Sequence, residues 1–264
     1  MTRTGVHEGV RFIRTEASLL GIPLAYFVYE VDGLLVDTGP YSQRRRILPF
    51  LEKHPPRQVV LTHAHEDHCG LAAWVQERFG VPVMVHEAYH EEARADARLP
   101  LYRRLAWGAR PAFHPDPLPE VVVTPHHRFE VLPSPGHTAH HVVLLERERK
   151  WLFTGDFYLG VSQVVAFEDE VADHAVASMR AMLELEVDTL FTAHAGVITD
   201  GRLRFRERLA FLEDLRGKVV DLRARGLSDR QIARRLLPRR KLITLVSAGE
   251  WSTRNLVRGL GREE

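Results

Sequence analysis

Residues 62–70 read T-H-A-H-E-D-H-C-G, placing three histidines and an aspartate within six positions. Packing does not account for such a cluster. Histidine is a poor core residue, and several on one loop crowd their lone pairs and repel one another when protonated. A metal ion that accepts the imidazole nitrogens resolves both problems. The flanks say where the cluster sits. Q-V-V-L (58–61) before it is a short apolar strand, and 71–79 after it has helical character and stops at Gly80. The cluster therefore lies at the C-terminal end of a strand, where α/β proteins place ligands. His63 and His65, two apart, project to one side of an extended turn and grip one ion. Asp67 and His68, where the chain turns into the helix, point toward a second.

One loop supplies too few ligands for two ions, so other strand ends must contribute. Pro135-Gly136-His137-Thr138 follows the strand ending at Leu132, Thr154-Gly155-Asp156 follows a Trp-Leu-Phe strand, and Ala193-His194-Ala195-Gly196 follows 189–192. Each offers a metal-type residue beside glycine just after an apolar run.

The remaining pattern is that of a layered α/β protein. Residues 18–31 and 33–36 read as two strands around Asp32-Gly33, a hairpin signal, and the second ends in Asp37-Thr38-Gly39. A helix is expected from about Ser42 to His54, before Pro55-Pro56, and a strand at 81–85. Residues 86–119, broken by Pro100, Gly108, Pro111, Pro115, Pro117 and Pro119, read as an insertion over the site. Strands are expected at 120–124, 128–132, 141–146, 151–154 and 188–192, with a helix near 171–186. From Arg202 onward the chain reads as helix, with caps at Ser228 and at Ser252 or Thr253. This gives a domain over 1–200 and a helical C-terminal extension over 201–264.

Together these motifs resemble the metallo-β-lactamase superfamily. The H-x-H-x-D-H run, followed in order by single His, Asp and His ligands, matches all five of its motifs, Asp37 being the first, and the resemblance covers about residues 10–200. It implies an αββα sandwich with the site at one edge, and a metal-dependent hydrolase. It implies His63, His65 and His137 on one metal, Asp67, His68 and His194 on the other, Asp156 bridging, and Asp37 orienting a ligand. His65 stands where oxygen-reducing di-iron members carry glutamate, which points to hydrolysis. Many relatives carry Pro-Gly-His-Gly where this chain has Ala-His-Ala-Gly. The layout most resembles the glyoxalase II-like and LACTB-like branches.

The chemistry expected is attack on a carbonyl by a hydroxide generated between two divalent ions, zinc first and iron or manganese as alternatives. Asp67 or Asp156 accepts or relays a proton, and Tyr158, two residues past the bridging aspartate, is a candidate for the oxyanion or leaving group. Cys69 reads as a small buried residue. His140 and His141 follow His137 closely and read as structural, with one of them a candidate to support that ligand, and His86, His90, His114, His126 and His127 read as surface residues, with one on the 86–119 segment a candidate to touch substrate.

Composition narrows the functional classes. The 264 residues are 45% hydrophobic and 27% charged, a soluble-protein profile. The single cysteine forbids an internal disulfide. No run of about 18 apolar residues could span a membrane, and the N-terminus has no signal-like core, so a cytoplasmic protein with no membrane partner is expected. Residues 200–264 hold 17 Lys and Arg against 9 Asp and Glu, a local +8. This charge allows a nuclease or phosphodiesterase that holds nucleic acid on its tail, but Phe205, Phe211 and Trp251 are the tail's only aromatics, few for base stacking. The expected partner is a small ester, thioester or lactone. A mononuclear iron persulfide dioxygenase is the redox alternative. No motif encodes an oligomeric state.

Overall fold

Asp32 and Gly33 turn the chain with φ of +52° and +87°, the pair of positive values that a two-residue type I′ hairpin needs, and Val31 faces Leu34 across the ladder. In the computed structural model, which describes residues 2–238 and 241–261, this hairpin lies within a seven-stranded sheet. Its strands are β1 (Arg3–His7), β2 (Val10–Leu19), β3 (Ile22–Val31), β4 (Leu34–Val36), β5 (Gln58–Val60), β6 (Val83–Val85) and β7 (Asp116–Pro117), side by side in that order. β1 to β4 form an antiparallel meander, and β4 to β7 run parallel. A second sheet holds β8 (Val121–Val123), β9 (Arg128–Pro133), β10 (Val142–Glu146), β11 (Trp151–Gly155), β12 (Thr189–Thr192) and β13 (Gly196–Ile198). Its order is β13-β12-β11-β10-β9-β8, and only the β11–β12 pair is parallel.

The helices are α1 (Arg44–Lys53), α2 (Glu66–Cys69), α3 (Ala72–Phe79), α4 (His90–Ala93), α5 (Leu101–Trp107), α6 (Ala172–Leu183), α7 (Gly201–Ala224), α8 (Asp229–Leu236), α9 (Lys241–Val246) and α10 (Thr253–Arg258). No described helix is long and apolar enough to cross a membrane.

Period-two alternation builds the layers. In β10, Leu144 packs between the sheets with Tyr29, Val36, Phe153 and Phe191, while its neighbours Val143 and Leu145 face the other way onto Met179, Met182 and Phe205 of α6 and α7. Phe153 and Phe191 stack with centroids 4.6 Å apart. The outer face of the first sheet is covered by α1 and α3 through Ile47, Leu51 and Val75. The result is the αββα sandwich.

The structure corrects the N-terminal expectation. The 18–31 stretch is not one strand, because Leu20 and Gly21 (φ +48° and +83°) turn β2 into β3. The β1–β2 hairpin carries Arg3, Arg11, Arg14 and Glu16 among its apolar residues, so it lacks the apolar density that marks the other strands. After the sandwich, the second half of α7 joins α8 and α10 in an apolar cluster with Val164, Ala166, Ala172 and Val176. The positive charge of this region is partly paired on the spot, by Arg216 with Asp173, Lys218 with Asp214, Arg223 with Asp229 and Arg258 with Glu168. Gln231 Oε1 accepts from the Ser228 amide at the start of α8, and Ser252 Oγ accepts from the Asn255 amide at the start of α10.

Candidate metal centre

Five strands deliver the site. Asp37 follows β4, the histidine-rich loop follows β5, His137 follows β9, Asp156 follows β11 and His194 follows β12. All lie at one edge of the two sheets, and they fall into two groups of ligand-type atoms. His63, His65 and His137 form one, and Asp67, His68, Asp156 and His194 the other, with the atoms of each group within 4.8 Å of one another.

The spacings within the groups are those of a shared ion. Tetrahedral ligands at about 2.0–2.1 Å from zinc stand roughly 3.3 Å from each other. His65 Nδ1 lies 3.0 Å from His137 Nε2. His194 Nε2 lies 3.3 Å from Asp67 Oδ2 and 3.2 Å from Asp156 Oδ1, which is also 3.3 Å from His68 Nε2. The other Asp156 oxygen, Oδ2, is 3.4 Å from His137 Nε2, so one carboxylate oxygen faces each group. His63 Nε2, His68 Nε2 and Asp156 Oδ1 are buried with no hydrogen-bond partner. Buried polar atoms are rarely left so, and here they converge on two points. The residues fit a divalent pair.

Outward-facing atoms fix the rings. Asp37 Oδ2 lies 2.7 Å from His68 Nδ1, and its carboxylate accepts from the Thr62 amide at 2.8 Å and from Thr62 Oγ1 at 3.0 Å. The carboxylate accepts, so Nδ1 of His68 carries a proton and Nε2 turns inward. Thr62 Oγ1, already donating to Asp37, accepts from His63 Nδ1 at 3.1 Å. The Ala25 carbonyl accepts from His194 Nδ1 at 2.6 Å, and Glu170 Oε1 stands 3.2 Å from His137 Nδ1. Tyr26 packs edge-on against both His68 and His194, each with centroids 5.2 Å away. Asp156 is held from behind: its amide donates to His141 Nε2 at 3.2 Å, while His141 Nδ1 lies 2.7 Å from Ser134 Oγ.

Electrostatics differ between the groups. Burial, reinforced by neighbouring imidazoles, pushes His63 and His65 well below the usual histidine range. Burial works against a charge on His68 too, yet Asp37, Asp156 and Asp67 hold it well above that range. Against the same burial, Asp156 and Asp67 push His194 up to about 10. Asp67 falls to about 2 as His68 and His194 overcome its desolvation. Without metal, protons occupy the place a cation would take, and metal binding must expel them.

The centre opens into a cleft of about 470 Å³, lined by His65, Asp67, His137, Asp156 and His194 below and by Tyr102, Arg103, Trp107, Phe167 and Trp251 above. The Metallo-beta-lactamase superfamily model matches residues 20–194. The chain belongs to this superfamily. This superfamily includes metal-dependent hydrolases, and this chain has the His/Asp groups to bind metal. It is 30% identical over 187 residues to the hydroxyacylglutathione hydrolase GloC of Haemophilus influenzae, covering 64% of this chain and 82% of that one. It is 32% identical over 167 residues to hydroxyacylglutathione hydrolases of Xylella fastidiosa, covering 60% of this chain and 54% of theirs. The fold matches a metallo-beta-lactamase family protein from Thermus thermophilus, with a TM-score of 0.68 at 20% identity over 95% of this chain and 92% of that one. It also matches a beta-lactamase domain protein from Burkholderia ambifaria, with a TM-score of 0.71 at 21% identity over 97% and 86%.

Tyr158 is not in this superfamily member's cleft. It is 3% exposed and packs on Phe205, its centroid 5.7 Å away, because it leaves the Asp156 turn on the side of α7. Of the pair expected to be structural or to support His137, His141 supports Asp156 instead. Glu170 escaped sequence reading because it lies 33 residues from His137 with no motif around it. Cys69 is fully buried, its thiol donating to the carbonyls of Ala64 and His65. Segment 86–119 plays two parts: Ala93 and Phe113 enter the core under the first sheet, while α5 carries Tyr102, Arg103 and Trp107 over the site.

Proposed function

We propose that the protein is a dinuclear zinc hydrolase of a thioester or related ester or lactone. The observation that carries this is the convergence of seven side chains into two groups, with buried, unpartnered atoms facing inward, at the floor of a cleft sized for a small molecule. His63, His65 and His137 would hold one ion, Asp67, His68 and His194 the other, and Asp156, with one oxygen toward each group, would bridge them. The nitrogen-rich set suits zinc. When bound, the ions supply Lewis acidity, polarising a carbonyl and bringing the pKa of water from about 16 toward neutrality.

The chain supplies the rest. Asp37, Thr62, Glu170 and the Ala25 carbonyl keep the imidazoles aimed inward, so little reorganisation accompanies reaction. Asp67, at the cleft floor and held ionised by His68 and His194, is placed to take a proton from water and pass it to the leaving group. A thioester is favoured because relatives at about 30% identity are named hydroxyacylglutathione hydrolases. The test is turnover of a thioester and lactone panel by zinc-loaded protein, with His65→Ala as the control. Turnover at least a hundredfold above the control supports the proposal, since losing a ligand removes the activated water. Equal rates on every substrate would reject it.

A further inference from the structure

Above the metal groups the cleft's wall is apolar, formed by Leu24, Trp107, Val164, Phe167 and Trp251, with Phe167 and Trp251 stacked 5.4 Å apart at 10°. One arginine, Arg103, lines it, and its fork is already occupied. Nε and Nη2 donate to the two oxygens of buried Glu66 at 2.7 and 2.6 Å, Nη1 donates to Glu250 at 3.3 Å, and its face lies 5.2 Å from the Phe167 ring centroid. These bonds take three of its five N–H donors, and the two carboxylates balance its charge. Gln163 is likewise engaged, its Nε2 donating to Val165 O. Among the described lining residues, no lysine or second arginine stands by to receive an anion.

The apolar character continues outward. Leu19, Ala106 and Ile243 form a buried cluster with Leu24, Tyr102, Trp107, Val165 and Trp251 of the cleft wall. The elements bearing those three residues also carry five well-exposed leucines: Leu20 at the β2–β3 turn, Leu101 and Leu105 on α5, and Leu242 and Leu245 on α9.

We propose that the site takes thioesters or lactones with an uncharged, apolar acyl chain of medium length, and disfavours those whose thiol part carries carboxylates. This rests on the hydrolase reading but is decided by binding. The acyl chain lies along Trp107, Phe167 and Trp251 with its carbonyl over the metal groups. A thiol part with two carboxylates would meet no unpaired cation among the described lining residues, and a carboxylate desolvated without a partner costs binding energy.

Calorimetric titration of the full-length zinc-loaded protein with two non-hydrolysable thioethers tests it. S-octyl-N-acetylcysteamine is neutral, and S-octylglutathione has the same chain on a thiol with two carboxylates. The neutral ligand is expected to bind at least about tenfold tighter. Equal or tighter binding of the glutathione conjugate would overturn the proposal. Trp251→Ala and, as a milder change, Leu24→Ala should each weaken the neutral ligand about fivefold or more. Unchanged affinity in both folded variants would also overturn it. If the preference holds but octanoyl-N-acetylcysteamine is not hydrolysed, the hydrolase reading fails while the binding specificity stands.

Discussion

The smallest scale on which the site can be tested is the single side chain that aims another. Asp37 touches no cleft atom, yet its carboxylate sets the tautomer and plane of His68 and, through Thr62, of His63. Asp37→Ala should weaken metal binding by about 10–100-fold, the usual cost of losing such a partner, measured by competition with a chromophoric chelator. Tyr158→Phe should leave kcat/KM within about twofold, because its hydroxyl does not reach the cleft; a larger fall would return Tyr158 to the site. His141 adds a pH signature. Burial holds its pKa well below the usual histidine value, so the folded state keeps it neutral while the unfolded chain protonates it near pH 6.5. The unfolded state therefore binds more protons below that pH, and stability falls as pH drops. The stability advantage of wild type over His141→Gln should be full above about pH 6.5 and shrink at lower pH, as read from urea unfolding of the two proteins at several pH values. An advantage that is constant with pH would mean that His141 is not held neutral.

At the scale of elements, the turns after the strands matter more than the strands. Gly155 ends β11 with φ +47°, and a Cβ there would lie 2.5 Å from Thr62 Oγ1 and 2.9 Å from His141 Nε2. Gly155→Ala should destabilise the fold by about 2 kcal/mol or more and also lower metal affinity, since the clash falls on the groups that support Asp156 and His63. α7 is anchored by Phe205, fully buried against Phe157 and Tyr158. Phe205→Ala should cost about 3–5 kcal/mol in thermal or denaturant unfolding. A cost below about 1 kcal/mol would mean that the C-terminal helices sit loosely on the second sheet.

Across the whole molecule, the sequence was most readable where residue type carries chemistry. The seven clustered His and Asp residues are conspicuous beside glycine at apolar strand ends, and the Asp32-Gly33 turn, the Gly80 stop and the Ser228 and Ser252 caps follow from local rules. The supporting shell was not readable. The carbonyl that orients His194 belongs to Ala25, 169 positions away, and a carbonyl has no residue-type signature. Glu170 looks like any surface acid until the fold brings it to His137. The β1–β2 hairpin was hidden by its charged residues, and the occupation of Arg103 by Glu66 and Glu250 depends on three distant segments meeting. Each zinc ion at about a thousand times its Kd should add about 4 kcal/mol, or roughly 8–16 °C in Tm, which is lost on chelation.

The most direct measurement is the metal content of dialysed, zinc-saturated protein by elemental analysis, beside His63→Ala and His68→Ala. Two half-sites on one loop require two ions per wild-type chain and about one in each variant. One ion per wild-type chain at saturation, or two in both variants, would contradict the dinuclear centre.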